Sequence, residues 1–368
     1  MKKGDQRIIH FSGANDPAKL QYVLDTIKDE KVDAAILTGV MEASDRNPMY
    51  RRLSNMGTSG LFSALEREWQ VIDHYQDKIK KKGYDPSSLT DWERTELERT
   101  RLNIDQYKRE LIGDAERIIR NGYKTVARDL SPIVDKVPIV GILGPHDFTP
   151  AYDELREPVA LTDDRNEEGF TLRGKSGNEL SIKGTLNLHP SQIDQTLSRL
   201  RMSIDKYMLN RCSGVTEEEF EEFANKAKDL KETQEVIQCQ EQVRDLREGE
   251  RLRLGHPEGI DILLTNSKPG YEGPLVHEYS QGAKIVLQGG DAHGNLNGWP
   301  LADVLKGAWE DSEYKGGVRP QEIELPMDFL TNKFDQLRID PGTENLMLYD
   351  FDKEGKVIGV RALPLYRN

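Results

Sequence analysis

Cysteine is nearly absent: the 368 residues contain two, Cys212 and Cys239. Both fall in a charged region with helical patterning and no metal-ligand spacing. This excludes a disulfide-stapled scaffold and a cysteine-built zinc site, and leaves two unpaired thiols suited to a reducing compartment. Long apolar runs are also missing. No stretch approaches the ~20 residues that a membrane-spanning helix requires. The opening MKKGDQRIIHF passes from lysines directly into a strand-like run, without the apolar core of a signal peptide, so a cytoplasmic protein with no membrane association is expected. Excess positive charge is lacking too. The formal net charge of -13 repels phosphate backbones at long range and argues against a nucleic-acid partner. Finally, no phosphate-binding P-loop, dinucleotide glycine fingerprint or Gly-x-Ser-x-Gly elbow occurs with the strand and helix context it needs.

What is present is a series of short apolar runs of strand length. They are Ile8-Ile9-His10-Phe11, Ala34-Ala35-Ile36-Leu37, Ile139 to Leu143, Ile262-Leu263-Leu264 and Ile285-Val286-Leu287. Near-continuous apolar character predicts strands covered on both faces. Between the first two, Leu20, Val23, Leu24 and Ile27 recur at helical spacing, which makes a βαβ opening. Further on, Gly169 to Ile182 reads as a hairpin, and Leu346 to Phe351 followed by Val357 to Val360 as a second strand pair.

Two long excursions interrupt this pattern. In the first, Leu61, Leu65, Trp69, Ile72, Tyr75 and Ile79 line one helical face, Gly83 to Pro86 breaks it, and Thr90 with Glu93 forms a capping box for a second helix. The expectation is an antiparallel helical hairpin, with Trp69, Tyr75 and Tyr107 weighed as anchors for a protein partner or for self-association against internal packing, the commoner role of aromatics at helical spacing. The second excursion, rich in Glu, Lys and Gln, begins near Ser191 and carries a capping box at Thr216 and Glu219.

Each core run ends in a short polar loop: Ser12 to Asp16, Thr38-Gly39-Val40, Gly144-Pro145-His146-Asp147, Thr265-Asn266-Ser267 and Gly289 to Asn295. In open α/β sheets, ligands gather outside the carboxyl ends of strands. The order and spacing of these loops resemble the calcineurin-like metallophosphoesterases, whose motifs run Asp-x-His, Gly-Asp, Gly-Asn-His-Asp/Glu, a later His and Gly-His-x-His. The resemblance covers residues 7–48, 136–188 and 258–360. It implies an α/β fold of metallophosphoesterase-like mixed sheets, built from βαβ units into an α/β sandwich. The chain would then be a single domain, 1–368, with helical insertions at 56–131 and 190–253.

Carried over position by position, the family's ligands are largely replaced. Gly13 and Asn15 stand where the first motif has Asp and His, Val40 stands at the bridging carboxylate, and Pro145 at the ligand Asn. Asn266 stands at the later His, and Asp291 at the first His of the last motif. Only His146 and His293 are retained. A dinuclear phosphoesterase clamps phosphate with two cations about 3.5–4 Å apart and needs carboxylates to offset their charge. Val40 has no lone pair and Gly13 no side chain, so no ordinary dinuclear centre is expected. The alternative is one divalent metal, manganese or zinc, on Asp291 and His293 with help from Asn15 or Asn266. His146 is the candidate catalytic residue, and Asn15, Asp16, Asp147 and Asn266 form the candidate ligand-binding rim.

Three functions stay open on these residues. One is a non-catalytic binding or scaffold protein with an eroded metal site. Another is an active phosphomonoester or phosphodiester hydrolase with a reorganised site. The third is a phosphate or nucleotide sensor that holds its ligand through backbone amides.

Overall fold

The computed structural model describes residues 4–41, 48–56, 60–82, 86–144, 147–148, 150–163, 168–185, 248–249, 251–266, 274–289, 293–310, 322–325, 327, 330 and 336–365. His146, Asp291, both cysteines and the capping box at Thr216 and Glu219 lie outside those residues. The chain divides into two compact units, one of residues 1–42, 123–192 and 212–368, the other of residues 43–122 and 193–211.

The first unit is of the α/β class and holds two mixed sheets. One runs in the order β11 (Ile323–Leu325), β14 (Val357–Pro364), β13 (Asn345–Phe351), β1 (Gln6–Phe11), β2 (Ala34–Thr38), β3 (Ile139–Ile142) and β4 (Ala160–Leu161). The other runs β10 (Trp299–Pro300), β9 (Asn295–Leu296), β12 (Leu337–Asp340), β8 (Ile285–Gln288), β7 (Ile262–Thr265), β6 (Glu179–Gly184) and β5 (Phe170–Arg173). Strands β1 to β4 pair in parallel, as do β6, β7, β8 and β12. Antiparallel strands complete both sheets, among them β13 beside β1 and β5 beside β6.

Alternation along the strands builds the core. Ile8, Ala34, Ile36, Val140, Ile142, Met347 and Tyr349 of the first sheet join Leu180, Ile182, Ile262, Leu264, Ile285, Leu287 and Ile339 of the second in one buried cluster. The side chains in between also have to be covered, which is why these strands read as continuous apolar runs. On the second sheet, Leu263 and Val286 pack with Leu254, Ile260, Tyr279 and Ala283, the last two from the helix Pro274–Gly282 and the residue that follows it. Helix α1 (Pro17–Glu30) buries Leu20, Val23 and Ile27, and ends at Lys31 in the left-handed conformation. A charge cluster fastens its last turn. Glu30 meets Arg7 at 2.7 Å and Arg361 at 2.8 Å, and Arg7 meets Asp350 at 2.7 Å. The Arg361 hydrogen bond holds the Glu30 carboxyl below its usual range.

The described part of the second unit contains α2 (Pro48–Met56), α3 (Gly60–Lys81) and most of α4 (Asp91–Val134). Helices α3 and α4 run antiparallel. Glu68 bonds Asn103, Tyr75 bonds Glu96 and Lys78 bonds Glu93, so each step forward along α3 is matched by an equal step back along α4. The Thr90–Glu93 capping box forms in both directions, with Thr90 N donating to Glu93 at 2.8 Å and Glu93 N donating to Thr90 Oγ1 at 3.3 Å.

Of the two readings of the hairpin's aromatic residues, the contacts bear out internal packing. Tyr75 is buried, and Trp69 and Tyr107 pack against the same internal cluster of Leu65, Ile72, Leu97, Ile104 and Leu111. Their helical spacing marks the face between α3 and α4. Trp92 and Leu102 of α4 are the large exposed apolar side chains there. Among the described residues no helix is long and apolar enough to cross a membrane.

Candidate functional site at the strand ends

The carboxyl ends of the parallel strands in both sheets meet within the first unit, and contacts between them are short. Thr38 Oγ1 at the end of β2 donates to Gln288 O at the end of β8 at 2.9 Å. Asn266, after β7, donates from Nδ2 to Leu143 O, after β3, at 3.2 Å. Close approach requires glycine here. A Cβ on Gly289 would lie 2.1 Å from Thr38 O, and one on Gly144 would lie 2.8 Å from Gly39 Cα. We expect Gly289→Ala to cost about 3 kcal/mol, because the obstructing atom is backbone and cannot rotate away. Chemical denaturation would read this, and a loss below 1 kcal/mol would show that the two strand ends have room to part.

Gly13 and Val40, two of the positions compared with the family's ligands above, are inside this contact. Gly13 N donates to Gly39 O at 2.8 Å and Ala14 N to Val40 O at 2.7 Å, which extends the pairing of the first two strands into their loops. Gly39 adopts φ +88°, a conformation open to glycine with little strain. Gly13, Ala14, Gly39 and Val40 are all buried. The last loop approaches the first through Gly342, whose carbonyl accepts from Ser12 Oγ at 2.8 Å and which packs against the backbone of His293 and Gly294.

Asp147 organises the centre. Its Oδ2 accepts from Val40 N and Gly144 N, each at 2.7 Å, and its Oδ1 accepts from Met41 N at 2.9 Å and Tyr123 Oη at 2.8 Å. Tyr123 in turn accepts from Phe148 N at 2.8 Å, which fixes the phenol between the two. Burial pushes the Asp147 carboxyl up to about 6, against the pull of the Val40, Gly144, Tyr123 and Met41 hydrogen bonds. Expected on the ligand-binding rim, Asp147 is instead only 2% exposed and holds the loops after β2 and β3 together.

The other expected rim residues have ordinary surroundings. Asp16 caps α1 by accepting from Ala18 N at 3.0 Å, Asn15 is half-buried, and Asn266 carries the bridge to Leu143. His293 is exposed.

Several buried polar groups escape the sequence pattern. His10, fully buried in β1, lies 2.7 Å from Thr38 Oγ1 through Nε2 and 3.2 Å from Tyr349 Oη through Nδ1. The Thr38 proton is committed to Gln288 O, so Nε2–H donates to Thr38 and Nδ1 accepts from Tyr349. That neutral tautomer satisfies both nitrogens, and burial, with Lys19 adding a smaller effect, holds the imidazole down to about 3. Lys19 itself is buried in α1 and donates to Ser12 O and, at 3.0 Å, to Thr343 O. It ties the first loop to the chain between β12 and β13.

Asp163, just past β4, accepts on Oδ2 from Leu143 N at 2.9 Å and Tyr152 Oη at 3.1 Å. Its Oδ1 is buried without a hydrogen-bond partner among the described residues. Burial raises this carboxyl to about 8. Nearby, Arg253 bonds Thr162 O at 2.5 Å and also Gly184 O. No local motif distinguishes these residues, because their partners come from distant parts of the chain.

No protein-family model matches this chain, and no curated protein matches it. One solved structure aligns over 98% of this chain and 99% of its own, at 9% identity and a TM-score of 0.37. A likeness at that level carries no argument about fold or function.

Proposed function

We propose that this chain is a metallophosphoesterase-like protein with an eroded dinuclear metal site that serves as a non-catalytic binding or scaffold protein. The observation that carries this reading is the carboxylate of Asp147 bonded to the amides of Val40, Met41 and Gly144. At the strand ends where the family resemblance locates bridging ligands, the chain presents an aliphatic side chain and backbone N–H donors. Neither offers a lone pair to a cation. The carboxylate that is present has both oxygens engaged and is sealed from solvent, so this donor set does not fit a pair of divalent metals.

Partner binding would then fall to exposed surface, and the exposed Trp92 and Leu102 of α4 are better suited to it than the internal Trp69, Tyr75 and Tyr107. Metal analysis of protein purified without chelator should find no two-equivalent complement of transition metal. Two equivalents would overturn the reading.

A hydrolase with one manganese or zinc ion on Asp291 and His293 makes a different prediction. Phosphomonoester or phosphodiester cleavage would depend on added metal and be lost in both His146→Ala and His293→Ala. Rates indistinguishable from the unsubstituted protein would exclude that site.

A further inference from the structure

The donors around Asp147 have the geometry of a binding site. Two act on each carboxylate oxygen: Val40 N and Gly144 N on Oδ2, Met41 N and Tyr123 Oη on Oδ1. Among the described residues no lysine or arginine bonds this carboxylate, so the negative charge is held by neutral N–H and O–H dipoles alone. Converging backbone amides of this kind form anion-binding concavities. Val40 and Met41 come from the loop after β2 and Tyr123 from α4, while Gly144 belongs to the turn that carries Asp147 itself, so three of the four donors are placed by distant parts of the chain.

We propose that these four donors form a carboxylate-binding cradle whose resident ligand is the chain's own Asp147 side chain. The cradle recognises a planar group with two oxygens. A phosphate is tetrahedral and carries two further oxygens, which these four donors leave without a partner. The ligand class is therefore a small carboxylate, and the proposal stands whether the protein is a scaffold or a hydrolase.

Removing the resident ligand should create a vacancy that a free carboxylate fills. The test is thermal unfolding of Asp147→Ala in sodium formate, in sodium chloride and in sodium phosphate at matched ionic strength. Formate should raise the melting temperature of Asp147→Ala by about 3 °C more than chloride does. The unsubstituted protein and Asp147→Asn, whose side chains fill the cradle, should respond equally to formate and chloride. The proposal is overturned by the absence of a formate-specific shift in Asp147→Ala, by the same shift in all three proteins, or by stabilisation with phosphate and not formate. If Asp147→Ala is insoluble as expressed, refolding from denaturant replaces the melt. Recovery confined to formate supports the cradle, and failure in both formate and chloride overturns it.

Discussion

Replacing Asp147 by alanine is expected to lower the unfolding free energy by about 4 kcal/mol at neutral pH. The substitution strips a partner from three buried amides and one phenol. Each unsatisfied buried donor costs about 1–3 kcal/mol, and the amides of Val40, Met41 and Gly144 are fixed in buried loops that cannot turn toward water. Tyr123 has more freedom, although its bond from Phe148 N restrains it.

An opposing effect reduces the loss. Burial holds the Asp147 carboxyl up to about 6, so ionising it at neutral pH costs about 3 kcal/mol relative to a solvated aspartate, and deletion relieves that cost. The donors outweigh it because there are four of them. Asp147→Asn should fall between the two proteins, losing about 2 kcal/mol, since its amide oxygen satisfies one pair of donors while its NH2 opposes the other. Denaturant unfolding of all three proteins gives the order. A change below 1 kcal/mol in Asp147→Ala would mean that the loops after β2 and β3 are held by something other than this carboxylate.

The role of Asp147 was the part of the site least open to sequence reasoning. Its position after Gly144-Pro145-His146 marked it as a strand-end residue, but its four donors come from residues 40, 41, 123 and 144. Tyr123 lies within a helix of 44 residues, where it reads as one more apolar position. Lys19, His10 and Asp163 were obscured in the same way. A buried polar side chain looks like any other until the fold supplies its partner.

By contrast, the framework was legible wherever one physical cause acted along a continuous stretch. Strands β2, β3, β7 and β8 are covered on both faces and so run apolar up to their ends, and β1 does so through Ile8 and Ile9. The α3–α4 hairpin announces itself by helical periodicity and by the Thr90–Glu93 cap. Strands β4, β9 and β10, of two residues each, carry no period to read. That spacing left two readings open for Trp69, Tyr75 and Tyr107 has a related cause. Helical spacing identifies a face, but not whether that face meets its own partner helix or an outside one.

Stability should fall as pH rises from 6.5 to 8, by about 1.4 kcal/mol per pH unit, and Asp163→Asn should abolish that slope. In the native state the Asp163 carboxyl is raised from 3.8 to about 8 by burial. The unfolded chain has released this proton well before neutrality, whereas the folded chain still binds it. A group whose folded pKa is raised contributes stability that is fully present below the unfolded pKa and is lost as pH passes through the folded value.

The window is chosen by the other buried groups. Asp147 follows the same sign, but with a folded value of about 6 it is already mostly ionised at 6.5 and adds only about 0.2 kcal/mol above it. His10 has the opposite sign, because its folded value of about 3 lies below the unfolded 6.5, so its contribution is complete above that pH. The depressed Glu30 carboxyl acts at still lower pH. Above 6.5 the large change that remains among the described residues is the ionisation of Asp163, whose Oδ1 meets no donor there.

Asparagine reproduces the protonated acid. Its oxygen accepts from Leu143 N and Tyr152 Oη, and its NH2 occupies the place of the acid's O–H. Asp163→Asn should therefore match the unsubstituted protein at pH 6.5 and exceed it by about 2 kcal/mol at pH 8. Denaturant titrations across this range decide the matter. A flat profile in the unsubstituted protein, or an unchanged slope in Asp163→Asn, would show that the carboxyl at the end of β4 is ionised at neutral pH and that its bare oxygen finds a partner in solution.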